Sequence, residues 1–248
     1  MWRLSGWAPL FSIAALLALW QALALLVESR ALPPPMLVLD AVAEGFATGE
    51  LPYHIGITLA RVAASFTLAM FIGVAIGIAM GRSKPLDRFF DSWLVLFLNL
   101  PALVTIILCY VWFGLIEAAA IAAVAINKIP NVVVTLREGA RALSRDYMEM
   151  AQVFRFGRAK TLRHVILPQL APFLLAAARS GLALIWKIVL VVELLGRSDG
   201  VGFQLNLFFQ LFDVASILAY TIAFVAVVLV IELGILQPLE VRANRWRR

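Results

Sequence analysis

Cysteine is nearly absent. Cys109 is the one thiol in 248 residues, so no intrachain disulfide can form, and a lone thiol inside an apolar run reads as a small packing residue. Histidine occurs twice, at positions 54 and 164, which leaves no Cys/His cluster with metal-ligand spacing and no catalytic set. No Gly-x-x-x-x-Gly-Lys-Ser/Thr stretch is present, so the chain cannot bind and hydrolyse ATP through that phosphate loop. It also lacks the clear internal repeat expected of secondary carriers built from inverted halves. No nucleic-acid motif accounts for the net charge of +6. No catalytic residue, metal ligand or cofactor is expected on this chain.

What is abundant is apolar sequence. Hydrophobic residues make up 63% of the chain and mean hydropathy is +0.94, so a water-soluble fold would expose far too much apolar surface. The apolar residues come in runs of about 20, enough to cross roughly 30 Å of hydrocarbon as helices. Backbone groups in lipid must be satisfied internally, so these runs are helices and not strands. Six spans are expected, at about 9–27, 59–80, 93–113, 117–136, 174–196 and 217–237, forming one transmembrane domain over 1–248.

Orientation follows from the cations. With the amino terminus inside, the inner segments carry Arg3, then Arg82, Lys84 and Arg88, seven cations from Arg137 to Arg163, and four arginines over 242–248. The outer segments carry Arg30 and Arg197, with Arg61 at the start of the second span. This positive-inside bias puts both termini and 137–173 in the cytoplasm. The first run is longer than a signal-peptide core and is followed by no clean small-x-small site, so it reads as an uncut anchor. Outside, the three prolines at 33–35 lead into an amphipathic helix over 36–46 lying at the interface, and 201–212 suits a re-entrant or interfacial helix. His54, at a helix start near water, reads as solvated or capping. Gly73, Gly77 and Gly81 recur every four residues and form a groove for close helix packing.

The hydrophilic stretch 137–173 is too long for a plain helix connection of two to eight residues. Within it, Glu149, Ala151, Ile166, Leu167 and Pro168 fall in register with the cytoplasmic signature of ABC-transporter permeases, which it resembles: Glu-Ala-Ala, a glycine, then Ile-x-Leu-Pro. Met150 replaces the first alanine, and Arg155 stands where the family has glycine, with Gly157 two residues on. The resemblance implies a type I ABC importer permease fold and a coupling loop of two short helices that docks on an ATPase subunit. It marks Glu149, Met150, Ala151, Arg155, Gly157 and Pro168 as coupling residues, with the turn moved to Gly157. His54-x-x-x-Thr58-x-x-Arg61, Asn99-x-Pro101 with Trp112-Phe113-Gly114, and Ser198-Asp199-Gly200-Val201-Gly202 resemble the branch that imports nitrate, taurine and aliphatic sulfonates. Related members of that family carry bicarbonate, pyrimidines, riboflavin or aromatic acids.

Charges inside the spans are costly, at least about 2.5–3.5 kcal/mol each at bilayer depth. Lys128, flanked by Asn127, lies mid-way along the fourth span, and Lys187 mid-way along the fifth with Glu193 six residues on. They either make an anion-attracting path or form packing ion pairs with Glu117, Glu193 or Glu232. Arg179 can snorkel to the cytoplasmic surface.

The resemblance implies the membrane subunit of a binding-protein-dependent importer in the bacterial inner membrane, passing a small anion. Its partners would be two ATPase subunits that carry ATP and Mg, a second permease copy (most simply of this same chain), a periplasmic binding protein and membrane lipid. The competing reading is an ion-coupled secondary transporter using Lys128, Lys187 and Glu193 as a charge relay. Such a carrier has no use for the signature loop.

Overall fold

The computed structural model describes residues 8–27, 29 and 31–238, and all regular structure among them is helical. The termini that enter the orientation argument, with Arg3, Arg30 and the arginines of 242–248, lie outside the described residues. The helices are α1 (Ala8–Val27), α2 (Pro35–Ala47), α3 (Glu50–Arg82), α4 (Lys84–Asn99), α5 (Ala102–Phe113) and α6 (Glu117–Arg141). They continue with α7 (Arg145–Val153), α8 (Arg158–Thr161), α9 (Leu167–Gly196), α10 (Val201–Gln210) and α11 (Val214–Ile231). A π-helical turn at Leu162–Ile166 joins α8 to α9, where Leu167 N–H reaches back to Leu162 and Pro168, which has no N–H, follows.

Helices cover all six expected stretches, but six separate crossings are not established. Four described helices are long and apolar enough to span: α3, α6, the continuous Arg158–Gly196 run, and α11 with its π-helical end. The expected third span is broken, because α4 and α5 meet at 98° and make a fifth crossing only if the bent pair counts as one. The cause is local. Leu100 is held extended (ψ 126°) before Pro101, which cannot continue a helix from α4. Helix α1 has 20 residues, and its stretch Phe11–Val27 stands among the shorter apolar helices.

Several boundaries also move. Helix α3 begins at Glu50, nine residues before the expected start, and α6 runs on to Arg141. The expected helices over 36–46 and 201–212 are present as α2 and α10.

The core is built on α3 and α6. A methyl at Gly73 would lie 2.6 Å from Val132 Cβ, at Gly77 2.8 Å from both Leu136 Cβ and the Val133 carbonyl oxygen, and at Gly81 2.6 Å from the Arg137 carbonyl oxygen. The glycine row therefore brings the two backbones together, as its spacing predicts. Helix α9 packs against both α6 and α3, and the main buried cluster runs through Val62, Ile106, Val124, Ile185, Val189 and Phe224. Helix α10 lies between α9 and α11, and α2 packs on α11.

Candidate functional site

Two polar constructions stand out in this apolar frame. The first is centred on Arg61, whose side chain is 4% exposed. His54, Thr58 and Arg61 are spaced i, i+4, i+7 and share one face of α3. Arg61 Nε and Nη2 donate to the Glu117 carboxylate at 3.0 and 2.5 Å, and Nη1 donates to Glu193 Oε1 at 2.8 Å and to the Asp199 carbonyl at 2.8 Å. Its Nη2 also bonds the Asp199 carboxylate. Arg197 adds a second cation, donating to Glu117 Oε1 at 2.7 Å. One guanidinium thus joins α3, α6, α9 and the turn before α10.

That turn is held by backbone donors as well. Consecutive N–H groups at Gly200, Val201 and Gly202 donate to His54 Nδ1 (3.0 Å), Thr58 Oγ1 (2.9 Å) and Glu193 Oε2 (2.9 Å). These are the first amides of α10, which would otherwise be unsatisfied in an apolar setting. Thr58 also donates to Glu193 Oε2 at 2.9 Å. Side chains at Gly200 (φ +100°) or Gly202 would collide with Glu193, so only glycine fits at both. Since Gly200 can only donate, His54 Nδ1 accepts and a neutral ring carries its proton on Nε2. The Gln204 amide lies 2.6 Å from Nε2, and with its Oε1 turned toward the ring it accepts the Nε2 proton. His54 is therefore a buried cross-link rather than a solvated cap.

Glu193, assigned from sequence to the path, is fully buried and spends its oxygens on Arg61, Thr58 and Gly202. Glu117 and Glu193 pair with arginine, so an ion pair of either with Lys128 or Lys187 is not formed. Lys128 is 2% exposed and its Nζ has no hydrogen-bond partner among the described residues. Its stem lies against α9, where a methyl at Gly181 would come within 2.7 Å of Lys128 Cε. Asn127 turns its amide back to the Ala123 carbonyl (2.8 Å). Lys187 is exposed on α9 beside a cavity shared with Glu232, and Arg179 pairs with Glu232 at 3.6 Å. Among the described residues nothing links Lys128, Lys187 and Glu193 into a relay.

The second construction is the 142–167 segment. Helix α7 ends at Val153, and the chain reverses through Arg155 at φ +50°. Arg155 N–H donates to the Gln152 carbonyl (2.9 Å) and Phe156 N–H to the Ala151 carbonyl (2.8 Å), the paired bonds of a Schellman C-cap. The expected shift of the turn to Gly157 does not occur. Gly157 has φ −64° and caps the start of α8. The left-handed residue is Arg155, at the position where the resemblance called for glycine. Ala151 is buried under the turn, whereas Glu149, Tyr147, Met150 and Phe154 face outward. Pro168 sits at the start of α9, and a cavity between α7, α8 and Arg82 at the end of α3 places the pair beside the core.

Sequence reasoning missed Arg61 as a hub. The spacing of His54, Thr58 and Arg61 was visible, but hydropathy started the span at 59 and left His54 and Thr58 outside it. Opposite charges in two different apolar runs, Arg61 and Glu193, were the available signal.

Several apolar helices long enough to span, with a short helix pair between α6 and α9, make this a multi-span membrane protein. The match of residues 69–236 to the family described as binding-protein-dependent transport system inner membrane component makes this specific. The chain belongs to that family, whose members are inner-membrane transport subunits and not enzymes. A Bacillus subtilis permease named for aliphatic sulfonates transport, SsuC, is 31% identical over 245 residues, covering 98% of this chain and 88% of that protein. The taurine transport system permease protein TauC of Escherichia coli is 28% identical, covering 95% and 88%. In structure, a chain of the inward-facing MetNI methionine ABC transporter superposes with a TM-score of 0.66 at 16% identity, covering 78% of this chain and 97% of that one.

Proposed function

We propose that this chain forms the translocation path of an ABC importer for a small anion such as nitrate, a sulfonate, taurine or a similar organic acid. ATP and Mg bind two ATPase subunits, a second permease copy completes the path, and a periplasmic binding protein delivers the solute. The α7–α8 pair faces the cytoplasm with both termini. It acts as the lever, so that closure of the ATPases switches the spans between inward and outward access.

The observation that carries this is the α7 surface. Tyr147, Met150 and Phe154 present 57%, 41% and 68% of their surface along α7 and its C-cap, beside Glu149, which has no partner among the described residues. An apolar patch rimmed by charge on a polar segment is an interaction surface. The anionic cargo is supported by Lys128 and Lys187, cations within spans that lack a carboxylate partner among the described residues, and by the two named relatives. Lys128 and Lys187, with Asn127 beside Lys128, are the proposed path residues, while Glu193 belongs to the structural cluster around Arg61. A charge-relay carrier is not favoured, because the three groups do not touch and the family fold leaves energy coupling to a partner.

The test is capture of the ATPase by tagged chain from membranes, together with solute uptake. Glu149→Arg should leave insertion intact, release the ATPase and abolish uptake. Normal capture and uptake by the variant would exclude the loop as the lever.

A further inference from the structure

The cavity between the end of α3 and the α7–α8 pair has a volume of about 490 Å³, within the range of small-molecule sites. Two guanidinium groups line it from different elements, Arg82 as the last residue of α3 and Arg158 as the first of α8. Both are exposed, and neither has a hydrogen bond or an ion pair among the described residues. Gln152 and Thr161 add an amide and a hydroxyl, and the buried side chains of Ala151 and Ile166 form an apolar floor. Among the described residues no carboxylate lines the cavity. Glu149, three residues before Gln152, lies outside the lining and pairs with neither arginine. Two positive charges thus converge on one cavity with nothing in it to neutralise them. The cavity also separates two parts of the chain that are not tied to each other. Ser144 N–H, at the start of α7, donates to Gln169 Oε1 of α9 at 2.9 Å, but no described hydrogen bond or ion pair joins α7 or α8 to α3.

We infer that this cavity binds a phosphate monoester, whose terminal oxygens bridge Arg82 and Arg158 and so tie the α7–α8 pair to α3. Charge and geometry select this ligand. Near neutral pH a phosphomonoester carries a charge of about −1.5 to −2 on three acceptor oxygens, which matches two cations and two planar guanidinium forks. A carboxylate or sulfonate monoanion would leave one of the cations unmatched. An ester bound here touches neither Lys128 nor Lys187, and it bears on the mobility of the helix pair rather than on a solute in transit. Arg82 ends a helix long enough to span, which puts the cavity within reach of a lipid head group and of a soluble ester alike. The phosphate is common to both.

The test uses the full chain with two probes. Glycerol 3-phosphate is added to the chain in detergent, and phosphatidic acid is included in phosphatidylcholine nanodiscs that hold the chain. Sodium methanesulfonate at matched ionic strength is the control. A probe that binds should raise the thermal midpoint by about 5 °C at roughly a hundredfold excess over its dissociation constant, and should slow amide exchange in α7 and α8. Arg82→Gln and Arg158→Gln should each remove most of that shift. Gln152→Trp, which fills the cavity and leaves both arginines in place, should remove it as well. A shift with phosphatidic acid alone makes the ligand a lipid head group, and a shift with glycerol 3-phosphate alone makes it a soluble ester. No shift with either probe overturns the site, as does an equal shift with methanesulfonate or an undiminished shift in the three variants. A shift without slowed exchange in α7 and α8 overturns the bridge. ATPase capture plays no part in these measurements, so the coupling reading and this site stand or fall separately.

Discussion

Arg61 and Glu193, 132 positions apart in sequence, meet at 2.8 Å with 4% and 0% of their side chains exposed. Burying an ion pair stabilises little by itself, because desolvation offsets the attraction. Removing one partner is a different matter, since the other is then left charged and alone. Glu193 would keep only Thr58 and Gly202, and three amides at the start of α10 depend on the same cluster.

Arg61→Met should therefore destabilise the chain by about 3–5 kcal/mol, whereas Arg61→Met combined with Glu193→Met should recover a large part of the loss. Thermal unfolding in detergent measures both. A double variant as weak as the sum of the singles would show that the pair has no special coupling.

Lys128 gives the opposite expectation. It has no carboxylate to strand, so Lys128→Met should hold or raise stability by about 1–3 kcal/mol, the cost of an unmet buried polar group. Anion uptake by the assembled transporter should fall at the same time. A clear loss of stability would reveal a partner contributed by another chain.

Arg155 occupies the left-handed conformation that an L side chain enters at a cost of about 1–2 kcal/mol. Arg155→Gly should stabilise the α7–α8 turn by roughly 1 kcal/mol and slow amide exchange at Arg155 and Phe156. Gly157→Ala should do almost nothing, because its φ is ordinary and a methyl there meets no atom within 4 Å. If Gly157→Ala disrupts the turn and Arg155→Gly does not, the assignment of the cap is reversed.

Membrane sidedness is checked with single cysteines in a Cys109→Ser background. Cysteines at Glu44 in α2 and Arg158 at the start of α8, both exposed, should label from opposite faces with an impermeant reagent. The expected outcome is Glu44 from the periplasm and Arg158 from the cytoplasm. Labelling of both from one side rejects the proposed orientation.

The placement of the helices was legible because hydropathy reports which backbone must satisfy itself, and lipid allows only helices to do so. The glycine row on α3 was legible for the same reason, as a period read directly onto one face. The bend at Leu100–Pro101 was not, since both arms are apolar and a hydropathy window averages across the break. The early start of α3 was hidden by His54, Thr58 and Arg61. Each lowers hydropathy, yet each has its polar atoms satisfied by residues more than 55 positions away. Motif register found the loop between α6 and α9, while the conformation of Arg155 depends on Schellman bonds that residue type alone did not disclose.

The contact of α3 and α6 along Gly73, Gly77 and Gly81 limits how the molecule can change shape. Side chains normally act as bearings between helices, rotating or sliding as rotamers exchange. Here, over about two turns, α3 contributes no side chain to that layer. An axial slip or a twist of either helix would drive glycine Cα atoms into the carbonyls of Ile129, Val133 and Arg137. The two helices therefore behave as a single beam, and any inward-to-outward exchange must be taken up outside that seam, at joints such as the 98° elbow between α4 and α5.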